Sequence, residues 1–166
     1  NKIVLASCSP RRREILAELC AEFEVVPPGI EEDMPETGDP REISEELAAQ
    51  KALSVAELRK GDLIIAGDTI VAVPEGRSFR LLGKPDTAED VVRMLNMLSG
   101  RTHLVVTGLA LVRDDWVRVC SEATRVTFRT LSPAEIEAYA KTPEPPGKAG
   151  AYAIQGYGGT FVETIE

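Results

Sequence analysis

Apolar and polar positions along the chain fall into blocks whose period changes several times. The opening "KIVLA", residues 2–6, has the length and composition of a short buried strand, and "SCSP" breaks it. Ser9 followed by Pro10 is a helix start, because the serine side chain can accept from a free backbone N–H and the proline lacks only a donor the first turn does not use. The pattern predicts a helix over residues 10–20 with Ile15, Leu16 and Leu19 as its apolar face. "FEVV", residues 23–26, predicts a second strand, and the acidic, proline-rich "PPGIEEDMPETGDP" predicts a loop.

Asp39, Pro40 and Glu42 form a capping signature that opens a helix reaching about residue 59. Its stripe runs Ile43, Leu47, Val55, Leu58, and the position that continues the four-residue spacing from Leu47 is Lys51. Lysines in such stripes commonly carry their ammonium back out to water. "LIIAGDTIVAV", residues 63–73, predicts an apolar strand broken at Gly67, Asp68 and Thr69, and "PEGR" a turn. Thr87 caps a helix to residue 98, and residues 102–131 predict two long strands joined near Asp114 and Asp115. Ser132, Pro133 and Glu135 open a short helix to about residue 140. The segment "TPEPPGKAGAYAIQGYGG" is too rich in Pro and Gly for regular structure and predicts a functional loop. Helices and strands interspersed around a long hairpin indicate an α/β domain with a mixed sheet.

A chain of 166 residues buries a sufficient core as one domain, or at most a two-lobed one. Three cysteines without a C-x-x-C pair, and a single histidine, argue against a zinc site or a disulfide framework. The net charge of -8 offers no field for nucleic acid, so any anion must be met by a local constellation. No apolar run is long enough to cross a bilayer and no signal-peptide pattern opens the chain, which makes the cytoplasm the expected location and a membrane an unexpected partner.

Arg11, Arg12 and Arg13 crowd the positively polarised end of the first helix, where each costs about 0.3–1 kcal/mol unless an anion is present. Beside Ser7 and Ser9, Arg11 and Arg12 therefore point to a phosphate site, whereas Arg13 reads as surface. Cys8 suggests a cysteine phosphatase loop, but the position that needs an arginine holds Glu14, so Cys8 is expected to pack under the turn. "PPGKAG" lacks the hydroxyl residue of a phosphate-binding Walker loop. Asp68 reads either as a catalytic carboxylate facing a ligand crevice or as a simple strand terminator. Glu31 and Glu32 read as oxygen ligands for Mg²⁺ or Mn²⁺, or as part of a solvated acidic run. Lys84, between Gly83 and Pro85, sits on a rigid turn that would hold its ammonium in place, and a plain surface turn would look the same. His103, Trp116 and Phe128 read as structural.

Taken together, "LASCSPRRREIL", "GIEED", "LAAQKA", "AGDTIV", "LGKP", "LSGRTHLVVTGLAL", "VTFRTLSPAEIEAY" and "KAGAYAIQGYGG" resemble the Maf family of nucleoside triphosphate pyrophosphatases, once described as septum-formation inhibitors. The resemblance implies an elongated mixed-sheet α/β fold similar to that of the inosine triphosphate pyrophosphatases, with the active-site cleft between two lobes. It also implies metal-dependent hydrolysis between the α and β phosphates, with Mg²⁺ or Mn²⁺ held by Glu32 and Asp68. Matched position by position, Ser7 and Arg12 are expected to contact phosphates, Lys51 and Lys84 to add cations, Glu32 to handle metal or water, and Asp68 to act as general base. Arg11, Thr69 and Gln155 match the substrate-selecting positions of the branch that acts on dTTP and UTP, and modified pyrimidine triphosphates are expected substrates too. The alternative is a non-catalytic nucleotide-binding regulator of cell division. The resemblance implies a single domain over residues 1–166, and the family pattern continues past "GTFVETIE" into a segment these residues do not contain. A homodimer covering the hairpin edge is expected as a partner arrangement.

Overall fold

The computed structural model describes residues 1–166. In chain order it contains β1 (Ile3–Leu5), α1 (Pro10–Leu19), β2 (Glu24–Val25), α2 (Pro40–Ala56), β3 (Leu63–Glu75), β4 (Ser78–Leu82), α3 (Ala88–Leu98), β5 (Thr102–Arg113), β6 (Trp116–Phe128), α4 (Pro133–Ala140) and β7 (Val162–Ile165), with 3-10 turns at Ala149–Ala151 and Tyr157–Phe161. The sheet is open, in the order β2-β1-β3-β5-β6-β7, with β4 paired on β3. Val4 of β1 lies opposite both Glu24 and Ile64 in parallel register, while β4 and β7 pair antiparallel with β3 and β6. The sheet is therefore mixed, as the interspersed pattern predicts. No helix is long and apolar enough to cross a membrane.

The chain divides into two compact units, the first comprising residues 1–34, 41–68 and 107–122, the second residues 35–40, 69–106 and 123–166. The first has a core of small side chains: Ala48, Ala52 and Val55 of α2 face Val4, Ala66 and Ala110 of the sheet. Small residues let a helix axis approach the sheet closely. The approach is tightest at Gly108, where a Cβ would lie 2.2 Å from the Ser44 carbonyl oxygen, so α2 is seated directly on the β5 backbone. Ser44, Lys51 and Val55 recur at helical spacing, and all three are buried.

Sequence pattern and structure diverge at α1. Ser9 caps it as expected, but its phase turns Arg12 and Leu16 inward and leaves Ile15 and Leu19 exposed, Leu19 by 79%. Cys8 is exposed and not packed beneath the turn. Leu58 also departs from its expected stripe, because α2 ends at Ala56 and Leu58 lies beyond it at 78% exposure. β3 runs unbroken through Gly67, Asp68 and Thr69, contrary to the break expected there, since flanking apolar positions keep it in the ladder.

The second unit is built from larger side chains. Leu95 and Leu98 of α3 and Ile136 and Tyr139 of α4 close over Phe128, and both helices begin with a reciprocal capping box, Thr87 with Asp90 and Ser132 with Glu135. Aromatic rings meet edge-on, Phe128 with Tyr152 at 4.8 Å and Tyr139 with Phe161 at 5.0 Å between centroids. His103 is wholly buried among them, its Nε2 2.7 Å from the Tyr152 hydroxyl and its Nδ1 without a partner, and burial pushes its pKa down to about 4. β4 and β7 are elements the sequence pattern leaves unassigned. Trp116, expected to pack, is instead half-exposed at the start of β6, where Asp114 takes the left-handed turn conformation.

Candidate active site

The turn before α1 organises itself through serines. The backbone N–H of Ser9 donates to Ser7 Oγ at 3.1 Å, and Ser9 Oγ accepts from the Arg12 N–H at 3.4 Å. Ser7 is buried. Pro10 contributes no N–H, so the first turn keeps the positive polarity of a helix N-terminus with few donors committed inside the protein. Arg11 is exposed and 3.4 Å from Glu14, an i,i+3 pair that yields readily to a competing anion. Arg12 takes the other direction: its side chain lies against Gly67, where a Cβ would meet Nε at 3.2 Å. Burial lowers the pKa of its guanidinium, and the negative charges of Asp68 and Glu32 act against that lowering.

The second layer is the Lys51 ammonium. The close seating of α2 brings it, buried, to 2.5 Å from Asp68 Oδ1 and 2.8 Å from Glu32 Oε1. Lys51 thus stays in its stripe and does not reach out to water. Asp68 is buried as well, whereas Glu32 arrives from the acidic loop and remains partly exposed. A buried ammonium persists only when paired, and here one lysine holds two carboxylates while Arg12 faces the same two. The first unit therefore gathers Ser7, Arg12, Glu32, Lys51 and Asp68. Glu31 is exposed in the loop beside Glu32.

Thr69, Lys84 and Gln155 belong to the second unit. Thr69 is half-buried on β3, Lys84 is exposed after β4, and Gln155 is exposed in the Gly-rich loop. The Gly83 carbonyl accepts from Gly150 at 3.0 Å, which ties the "LGKP" turn to that loop. One residue that sequence reasoning passes over stands out here: Glu144 accepts from the N–H groups of Tyr157 and Gly158 and from the Tyr139 hydroxyl. Its only sequence signal is an acidic side chain fixed between prolines in "PEPP".

No group of three or more His, Cys, Asp or Glu side chains converges as a self-sufficient metal cage. Mg²⁺ seldom needs one, because it keeps several waters and takes one or two carboxylates together with substrate phosphate oxygens. Glu32 and Asp68, brought together on one lysine, fit that donor set.

Known proteins share both sequence and fold with this chain. The dTTP/UTP pyrophosphatase of Thermococcus kodakarensis is 46% identical over 164 residues, covering 98% of this chain and 85% of that protein, and that of Gloeobacter violaceus is 43% identical over 165 residues, covering 99% and 85%. Among solved structures, a nucleoside-triphosphatase / dITP/XTP pyrophosphatase from Mycobacterium abscessus aligns with a TM-score of 0.53 at 23% identity, over 79% of this chain and 76% of that one. The Ham1 protein of Staphylococcus aureus aligns at 0.50 and 18%, over 77% and 72%, and both likenesses are of fold. The family model described as Maf-like protein matches residues 2–166, and with relatives of this identity and coverage the chain belongs to the Maf family.

Proposed function

We propose that the chain is a nucleoside triphosphate pyrophosphatase that hydrolyses dTTP and UTP to the monophosphate and pyrophosphate. The observation that carries this reading is the buried Lys51 ammonium bridging Asp68 and Glu32 beside Arg12, in a protein whose relatives are named for that activity. In this reading Ser7, Arg12 and the N-terminal turn of α1 hold phosphate oxygens, with Lys51 and Lys84 as further cations. Asp68 takes a proton from the attacking water as its oxygen bonds to the α phosphorus. The bond from that phosphorus to the bridging oxygen breaks, and the cations stabilise the charge that grows on the departing pyrophosphate. A divalent cation held by Glu32 and Asp68 would supply Lewis-acid neutralisation of the phosphate charge. Arg11, Thr69 and Gln155 select the pyrimidine, the Gln155 carboxamide offering one donor and one acceptor to the edge of uracil or thymine. Such an enzyme acts on the cytoplasmic nucleotide pool.

The test measures pyrophosphate release from dTTP, UTP, CTP, GTP and 7-methyl-GTP with Mg²⁺ or Mn²⁺. Release from dTTP and UTP above the others is expected, and Asp68→Asn should lower kcat/KM for them by about a thousandfold. No release from any triphosphate by folded protein would sink the enzyme reading, and a preference for a purine triphosphate, GTP or 7-methyl-GTP, would refute the roles of Arg11, Thr69 and Gln155 in selecting a pyrimidine.

A further inference from the structure

We infer that Glu144 is a positioning residue for base selection: together with the Tyr139 hydroxyl, it fixes the turn that presents Gln155. The inference rests on the reading of Gln155 as a base-selecting residue. Gln155 stands in a tight turn closed by the Gly156 N–H donating to the Ala153 carbonyl at 3.1 Å. A turn of this kind, exposed and rich in glycine, has many conformations, and a carboxamide carried on it discriminates between bases only if the backbone under it is fixed.

Both flanks of the turn are tied to one pair of side chains. On the far side, the Tyr157 N–H donates to Glu144 Oε1 at 2.7 Å and the Gly158 N–H to Oε2 at 3.0 Å. On the near side, the Ala153 N–H donates to the Tyr139 hydroxyl at 3.3 Å, and that hydroxyl in turn donates to Glu144. Tyr139 is anchored by its ring, buried on α4 and edge-on to Phe161. The carboxylate passes so close under the turn that a Cβ at residue 156 would fall 1.7 Å from Oε1, which is why glycine follows Gln155. Although burial would raise the Glu144 pKa, the donors from Tyr139, Gly158 and Tyr157 hold it below the usual carboxylate range, so the acceptor stays charged at neutral pH. Ile154 packs in part against the core, and the side chain left exposed at the tip to meet a ligand is Gln155. The ligand class this fits is a pyrimidine with an imide edge, one N–H flanked by carbonyls.

The variant Glu144→Gln replaces an acceptor of three hydrogen bonds with a group that turns an amide donor toward backbone donors. The kcat/KM ratio of UTP over GTP is measured for it, for Tyr139→Phe and for Gln155→Ala, with thermal melting of each. In Glu144→Gln the ratio should fall about tenfold, through a higher KM for UTP with kcat for UTP little changed, and Tyr139→Phe should move it the same way by less. An unchanged ratio in Gln155→Ala would overturn the reading of Gln155 and this inference with it. A lowered ratio in Gln155→Ala but not in the other two would overturn the inference alone. Equal loss of UTP and GTP turnover in Glu144→Gln would assign Glu144 a purely structural role. If Glu144→Gln does not fold, the Tyr139→Phe ratio decides.

Discussion

The interiors of the two units are built on opposite plans. In the first, the residues under α2 are mostly alanine and valine, and charged groups penetrate the protein: Lys51 and Asp68 are both buried. In the second, leucine, methionine and aromatic side chains fill the core, and its buried histidine, His103, is held neutral. Side-chain volume sets how near a helix comes to a sheet, and nearness decides whether a lysine on that helix can reach a carboxylate on the strand. The buried charged cluster of the first unit thus depends on the smallness of its core, while the larger apolar surface of the second supplies ordinary burial energy.

The comparison can be broken most severely at Lys51. Lys51→Met keeps the stem and leaves Asp68 buried without its ammonium, a loss of about 3–5 kcal/mol. A drop of several degrees in melting temperature is expected, together with at least about a hundredfold loss of pyrophosphate release, since a cation near the developing charge is gone. An equal loss of stability without loss of activity would separate the lysine from the chemistry.

The next effect belongs to the second unit and is seen in acid. Unfolded histidine takes up a proton below its ordinary pKa of 6.5, whereas His103 in the folded protein does so only below about 4. Its contribution is therefore complete above pH 6.5 and is lost as the pH falls from 6.5 to 4, amounting to about 3 kcal/mol at the acid end. Denaturant titrations across that window should show the loss in the native protein and a flatter profile in His103→Phe. Gly108→Ala probes the close seating of α2: a Cβ against the Ser44 carbonyl should destabilise by about 2 kcal/mol and weaken activity by displacing Lys51. The smallest effect is expected at Cys8, exposed in the turn before α1, where Cys8→Ser should leave turnover within about twofold.

Local signals read well from the sequence where the physics is local. Ser9–Pro10, Thr87 and Ser132–Pro133 start helices where expected, because each cap is a hydrogen bond between residues three apart. β4 and β7 leave no clear pattern because they are strands of only five and four residues: β4 is the short return arm of a hairpin on β3, and β7 depends on pairing with β6, a strand far earlier in the chain. Of the apolar face assigned to α1, Leu16 turns inward but Ile15 and Leu19 do not, and the inward side is shared by Arg12, which faces Asp68 and Glu32, partners that no local pattern on the helix announces. Lys51 is visible as an irregularity in its stripe, and Asp68 and Glu32 as candidate carboxylates, but not the pairing of the three. Glu144 was invisible, because its partners Tyr157 and Gly158 lie thirteen and fourteen residues away through a loop with no periodicity.

The pairing of Lys51 and Arg12 with Asp68 and Glu32 has a consequence for what can enter. The charges of that cluster cancel, so an incoming anion meets no vacant positive bowl; it must displace partners already in place. A lone orthophosphate gains little from such an exchange. A polyphosphate that arrives with its own cation replaces both sides at once, giving new negative groups to the arginine and lysine and a new positive one to the displaced carboxylates. In the proposed reading, self-neutralisation of this kind favours a triphosphate that brings a divalent cation over a small anion that arrives alone.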